Sequence, residues 1–358
     1  MPSSPANRFD PPPLQVDGLT HWVLQRAFGP VAIEAPSPPI PEQALSRAGA
    51  LGLAPRIASR TPRDQLMQEI GVEPAGAFAA ESRKALEATL AYDALAARLT
   101  QHATRLGHAL VCLKGYALHA GGYARAGSRN VGDLDLLVAK NDARAFHTAL
   151  QQAEFQAAEA PANEQHLPPL AAPGWGIIDV HYLVRGVCDE VGAWMDASAI
   201  LRADGAEETA PGFWVPGPAM LAAHTLAHAI EQHANNPRPY PLLRMVADLL
   251  DALPDATAWE AAMPLLNQSL HPTLEPSEIQ GARDLALTLS EGRIPSDAAG
   301  PGAKLLAHFL AHALDPEYRI SLRGRHFRHR LKQARQRGTL LRYAGRKLQD
   351  LWRRPARR

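Results

Sequence analysis

The sequence predicts an α+β protein: a small mixed β-sheet with flanking helices, followed by an all-helical domain. Three observations predict it. Short apolar or alternating runs around Val111, Leu136 and Val180 have strand length and are bounded by glycine or proline. Beyond Val187 the apolar pattern has helical spacing instead. Alanine is abundant throughout, which favours helix. A chain of 358 residues, 46% hydrophobic and 20% charged, has ordinary globular composition and length for one large or two medium domains.

Residues 1–41 hold ten prolines and little periodicity, and are expected to be partly irregular, with one short helix over Leu19 to Phe28. Helices are predicted over Pro41 to Leu53, Pro62 to Ile70 and Ala79 to Leu106. In the last, Leu86, Leu90, Tyr92, Leu95, Leu99 and Leu106 form an apolar stripe. Val111 to Leu113 reads as a strand that stops at Gly115, and Tyr116 to Tyr123 as a helix. Asp133 to Val138 reads as a second strand, and Asn141-Asp142 as the cap of a helix through Leu150. Strands are expected near Glu154 to Ala158 and Gln165 to Leu167, with a break at Pro168, Pro169 and Pro173. Gly176 to Val184 alternates clearly, which puts Ile177, Asp179 and His181 on one face and Ile178, Val180 and Tyr182 on the other. Helices are predicted over Pro216 to Ala234, Tyr240 to Leu253, Thr257 to Leu266, Glu278 to Leu289 and Lys304 to Leu314.

Charge is distributed unevenly. Arg319 to the C-terminus carries fifteen Lys/Arg and one acid, Asp350, which leaves 22 basic and 35 acidic residues on the rest of the chain. The basic tail has three readings: docking on the acidic body, binding a partner or nucleic acid, or meeting an anionic membrane surface. Docking on the body is the favoured one. Cys112 and Cys188 form no zinc spacing and no disulfide framework, which fits a reducing compartment. The N-terminus lacks the charged and apolar regions of a signal peptide, and no run of about 18 apolar residues exists, so a cytoplasmic location is expected.

The chemistry concentrates between Leu110 and Val138. Residues two apart on a strand share a face, so Asp133 and Asp135 project together. Two adjacent carboxylates repel unless a cation lies between them, and a hard ion such as Mg²⁺ is suited to that place. Asp179 supplies a third carboxylate from another strand, as two-metal phosphoryl chemistry requires; it would complete the second metal site or take a proton. The glycine turn at Gly115 opens a helix whose N–H groups can approach phosphate. Lys114 reads equally as a phosphate contact and as a counter-ion to the carboxylates, and Arg129 as a phosphate contact and as a salt bridge that anchors its loop to the Asp133/Asp135 pair.

These residues resemble a known pattern. Leu113-Lys114-Gly115, Tyr123, Arg129 and Asp133-Leu134-Asp135-Leu136-Leu137-Val138 are similar to the motif of the bacterial uncharacterised nucleotidyltransferase family, within the DNA polymerase β-like nucleotidyltransferase superfamily. Asp179-Val180-His181, the helix bearing His224 and His228, and the helix bearing Asp248 follow in the family's order, over roughly residues 80–260. The resemblance implies an NTP substrate, Mg²⁺ or Mn²⁺ held by Asp133, Asp135 and Asp179, and transfer of an NMP to an acceptor hydroxyl with release of pyrophosphate. It implies nucleotide contacts from Lys114, Gly115 and Arg129, with Ser128 standing in for the serine that the superfamily carries after the turn glycine. Tyr116 occupies that position here. The implied organisation is a proline-rich N-terminal segment with short helices (1–75), a nucleotidyltransferase α/β core (76–212), a helical domain (213–318) and a basic C-terminal tail (319–358), with the site in the cleft between core and helical domain.

Two other readings are kept. One is a catalytically degenerate nucleotide-binding or scaffold protein of a biosynthetic cluster; the other is an RNA-directed transferase that uses the tail as substrate handle. His224 and His228 stand at i, i+4, a spacing zinc sites use, but a structural role is favoured; Asp248 is a candidate hydrogen-bond partner for them, and His166 a candidate neighbour of the site.

Overall fold

The protein is described from a computed structural model that covers residues 13–30, 41–158, 165–172, 174, 176–203, 205–233, 241–270, 273–295 and 300–315. The basic tail and much of the proline-rich N-terminal segment lie outside these residues. Five helices come first: α1 Gly18–Phe28, α2 Pro41–Ala50, α3 Ala54–Arg60, α4 Arg63–Ile70 and α5 Val72–Leu106. The α/β part follows as β1 Leu110–Cys112, α6 Lys114–Ala120, β2 Leu134–Leu137, α7 Ala143–Gln152, β3 Gln156–Ala157, β4 Leu170–Ala172, β5 Gly176–His181, β6 Val184–Cys188, β7 Trp194–Met195, α8 Ala197–Arg202, β8 Glu207–Ala210 and β9 Phe213–Val215. Helix α9, Pro218–Leu226, runs into a π-helical segment, Ala227–His233, and then come α10 Leu243–Ala252, α11 Ala256–Leu270, α12 Pro276–Ser290 and α13 Pro301–Leu314.

Seven strands form one mixed sheet in the order β3-β4-β5-β2-β1-β9-β8, and β6 and β7 form a separate hairpin. Strands β2 and β5 are parallel, as are β1 and β9; β1 and β2 are antiparallel. The strands at the centre are short and buried because both faces are covered: Leu134, Leu136 and Leu137 on β2, Ile178 and Val180 on β5, and Leu110 and Val111 on β1 are all sealed from solvent. One contiguous apolar cluster extends from Trp22 on α1, through the sheet, to Leu310 on α13. The N-terminal helices join it with a polar clamp: Glu69 on α4 accepts hydrogen bonds from the indole of Trp22 at 3.0 Å and from Nε of buried Arg26 at 2.9 Å.

The expected α+β class with a mixed sheet and flanking helices is what the chain adopts. Several elements differ in detail. The strand expected over Gly176 to Val184 is two strands, β5 and β6, although its alternation holds: Ile178 and Val180 enter the core while Asp179 and His181 face the other way. Near Gln165 to Leu167 there is only a single bridge, between His166 and His181, and the strand is β4, within the proline-flanked stretch read as a break. Pro168 and Pro169 precede the three residues of β4, which pairs with β3 and β5, so they remove no donor from within the strand. The stretch after Val187 is not uniformly helical. It contains β7, β8 and β9, and three-residue β9 inserts in parallel beside β1. Leu86, Leu90 and Leu106 of the expected apolar stripe on α5 are exposed, while Tyr92, Leu95 and Leu99 are buried. Among the described residues no helix is long and apolar enough to cross a membrane.

Candidate active site

The parallel pairing of β2 with β5 sets Asp135 opposite Asp179, and Leu137 opposite His181. Alternation then turns Asp135, Asp179 and His181 to the same face. One ligand atom from each lies within 4.8 Å of the others, and this is the one group of three or more potential metal-ligating side chains found among the described residues. Asp135 is 1% exposed. Its Oδ1 accepts from Lys114 Nζ at 2.5 Å and from His181 Nε2 at 2.8 Å. An ionised carboxylate only accepts, so the His181 proton is on Nε2. Burial alone would raise the Asp135 pKa, but Lys114 and the His181 hydrogen bond outweigh it and hold the carboxyl below its ordinary range. Burial would likewise lower the Lys114 ammonium, yet Asp135, Asp133 and Asp179 together hold it above its ordinary value.

Asp179 Oδ1 is buried and has no hydrogen-bond partner. A buried carboxylate oxygen without a donor is costly to leave so, and beside a second carboxylate it is suited to a cation. The donor set is therefore compatible with a divalent ion held between Asp135 and Asp179, with His181 fixing the orientation of Asp135.

Asp133 stands just before β2, at the exposed mouth of the cleft and outside the three-residue cluster. The Asp135 charge, and after it loss of hydration, push its carboxyl up to about 6. The expected Asp133/Asp135/Asp179 trio thus appears as an inner group of Asp135, Asp179 and His181, with Asp133 at the rim. His181 shares the strand face of Asp179, as the alternation implies, and stands beside both inner carboxylates.

Of the turn residues, Lys114 is a counter-ion of Asp135, one of its two expected roles, whereas Arg129 pairs with Asp248 and not with the Asp133/Asp135 pair. Lys114 adopts φ +53 at the start of α6, left-handed backbone that a lysine seldom occupies. Gly115 has no room for a side chain: a Cβ there would fall 1.5 Å from Nη1 and 2.1 Å from Cζ of Arg129. Arg129 lies across this glycine and donates to Asp248 through Nε at 2.7 Å and Nη2 at 2.9 Å. Tyr116 is buried, and its hydroxyl donates to Asp93 Oδ1 at 2.7 Å, which fastens α6 to α5. The residue after the turn glycine therefore packs the helix and does not reach the cleft. Ser128 does not replace it: it is buried, its hydroxyl donates to the Arg125 carbonyl at 2.6 Å, and it does not line the cleft. Asp248 is likewise the partner of Arg129 rather than of the histidines.

The cleft, with a volume of about 430 Å³, opens in front of this turn. Lys114, Gly115, Arg129 and Asp133 line one wall, and Thr225, His228, Gln232 and His233 another; Gln165, His166, Arg244, Met245 and Asp248 complete it. The site thus lies between the sheet and the helices that follow it. Arg244, whose Nη2 donates to the Asn130 carbonyl, was not anticipated. Nor was the His228–His233 pair, whose Nε2 atoms are 3.1 Å apart with rings edge to face. Residues five apart diverge by about 140° on an α-helix, but by only about 50° where hydrogen bonding shifts to i→i+5, so the π-helical segment is what unites them. The expected i, i+4 pair, His224 and His228, has ring centroids 6.3 Å apart and belongs to no three-ligand metal group.

A Gly115→Ala substitution tests the close approach at the turn. The methyl group must expel the guanidinium, which leaves buried Asp248 without its bidentate partner. A loss of about 3 kcal/mol in urea unfolding is expected.

The model of the uncharacterised nucleotidyltransferase family matches residues 39–269. No curated protein and no solved structure matches the chain. The match takes in α2 to α5, the whole sheet and the helices that face it, so it covers both walls of the cleft. With well over half of its length inside that match, the chain belongs to the uncharacterised nucleotidyltransferase family and is a transferase enzyme.

Proposed function

We propose that the enzyme transfers an NMP from an NTP to an acceptor hydroxyl and releases pyrophosphate, with a divalent cation, Mg²⁺ or Mn²⁺, held by Asp135 and Asp179. The observation that carries this reading is Asp179 Oδ1, a buried carboxylate oxygen with no donor, set in register with the most buried acid of the sheet. A bound divalent ion would offset charge on the transferring group and lower the pKa of the attacking hydroxyl. His181 keeps the Asp135 carboxylate in one orientation through Nε2. Arg129, fixed by Asp248, and Arg244 set two guanidinium groups on the cleft wall, where triphosphate oxygens are met by planar donors. Asp133 at the mouth adds a carboxylate on the open side, where a second ion or the acceptor enters. The wall formed by Thr225, His228, Gln232 and His233 offers neutral hydrogen-bonding groups to base or acceptor.

The test is Asp179→Asn. Since Asp179 Oδ1 has no protein donor, the variant should fold with undiminished stability while Mn²⁺ binding, followed by electron paramagnetic resonance, weakens by at least about 100-fold. Turnover of α-labelled ATP, GTP, CTP and UTP should fall with it. Equal Mn²⁺ affinity in wild type and variant would sink the proposal. Metal-dependent nucleotide binding with no turnover towards any acceptor would point instead to a degenerate binding protein.

A further inference from the structure

We infer that Lys114 is an exchangeable internal counter-ion: it neutralises Asp135 in the empty site, gives up that carboxylate when a divalent cation arrives, and then engages the nucleotide's phosphates. This rests on the cation site proposed above and adds an order of events to it. Four observations carry it.

The first is occupancy. Lys114 Nζ and His181 Nε2 both donate to Asp135 Oδ1, so one oxygen of the central carboxylate is fully engaged by the protein itself. A cation bridging Asp135 and Asp179 would bring two positive charges against the ammonium in a buried setting, and like charges that close compete for the same carboxylate. The second is access. The Lys114 side chain is 16% exposed and lines the cleft, whereas Asp135 is sealed behind it. A four-carbon stem can leave Asp135 for the cleft with no backbone movement. The third is the backbone. Lys114 is held at φ +53, one of only two non-glycine residues with positive φ among the described residues. Such conformations persist where surrounding structure enforces them, and they gather at functional sites. Here the conformation directs the start of α6 between the carboxylates and the cleft. The fourth is contrast. The neighbouring cation, Arg129, is locked by two hydrogen bonds to Asp248 and lies across Gly115, so it is the fixed member of the pair. Of these two neighbouring cations, Arg129 is anchored and Lys114 is carried on a flexible arm between Asp135 and the cleft.

The exchange predicts opposite effects on two affinities. In Lys114→Met, a substitution of similar length without charge, Mn²⁺ alone should bind at least about tenfold tighter than in wild type, measured by calorimetry on the full chain. Binding of α,β-methylene-ATP with Mn²⁺ should be at least about tenfold weaker. Should Lys114→Met fail to fold, wild type carries the same test: Mn²⁺ alone should speed acetylation of Lys114 by acetic anhydride, read by mass spectrometry, and Mn²⁺ with the analogue should slow it. Unchanged or weaker Mn²⁺ binding in Lys114→Met, or an acetylation rate indifferent to Mn²⁺, overturns the exchange. Asp179→Asn separates the two levels. If it abolishes Mn²⁺ binding while Lys114 responds to nothing, only the exchange fails; if it leaves Mn²⁺ binding intact, the cation site fails and the exchange with it.

Discussion

Asp135→Asn should reduce nucleotidyl transfer by about 10³-fold or more and also destabilise the metal-free protein by about 3 kcal/mol. Both effects have the same origin. Asp135 is the residue on which β1, β2, β5 and α6 converge: Leu113 donates its backbone N–H to the Asp135 carbonyl at 2.9 Å, Lys114 and His181 share its Oδ1, and Asp179 lies beside it in the parallel register. An amide of the same shape keeps the packing but removes the charge. The Lys114 ammonium then keeps only an amide oxygen as partner or leaves for the cleft and opens a polar void beside His181, and breaking one half of a buried ion pair costs far more than the intact pair contributes. The loss of activity is what the proposed cation site requires, because an amide oxygen is a poorer ligand for a hard divalent ion than a carboxylate.

A double substitution separates the two consequences. Asp135→Asn with Lys114→Met removes both charges, so stability in urea should recover most of its loss while activity stays at background. Denaturation curves with chelator present, together with pyrophosphate release, provide the measurement. Activity within about tenfold of wild type in Asp135→Asn would show that the chemistry lies elsewhere. No recovery in the double variant would show that the stability cost came from lost packing rather than from the stranded ammonium.

The elements that carry these residues were legible to unequal degrees. Alternation of period two is a local property, so the common face of Asp179 and His181, and the entry of Ile178 and Val180 into the core, could be read from the chain. Register is not local. That β2 and β5 lie side by side in parallel, with Asp135 opposite Asp179, depends on how α7, β3 and β4 between them pack, and no spacing in the sequence specifies it. The same holds for ion pairs. Arg129 finds Asp248 119 residues away, and only that pairing explains why a glycine is needed at 115: the space a side chain would take is filled by a guanidinium from a distant loop. Strand β9 escaped notice because three residues, Phe213–Val215, make a run too short to rise above a stretch rich in turns. The π-helical segment escaped for another reason. A helical reading assumes about 3.6 residues per turn, and with that period His228 and His233 point apart.

Three buried histidines, His224 and the His228 and His233 of the cleft wall, make the protein sensitive to acid, and the sign follows from burial. His224 is held down to about 3 and His233 to about 4, in each case by burial first and then by the Lys114 charge; His228 is held well below its ordinary value for the same reasons, with His233 and His224 adding to them. All three are neutral in the folded protein at pH 7, whereas in the unfolded chain they take up protons near 6.5. A folded-state pKa below the unfolded one means that the associated stability is complete above pH 6.5. It is lost as the pH falls from there towards about 4, because protons bind the unfolded chain first. Three such groups give a slope approaching about 4 kcal/mol per pH unit near pH 5, which Asp133 reduces by about one proton because it is protonated first in the folded state, so a steep net loss of stability in mild acid is expected. Urea midpoints measured with chelator at pH 7.5, 6.0 and 5.0 provide the check. His224→Leu isolates one contribution. His224 Nδ1 is buried without a hydrogen-bond partner, so an apolar side chain of similar volume sacrifices no bond there. The variant should match wild type at pH 7.5 to within about 1 kcal/mol and exceed it at pH 5.0 by more than that, with a slope lower by about one proton. An acid slope unchanged by the substitution would place the proton uptake outside these histidines.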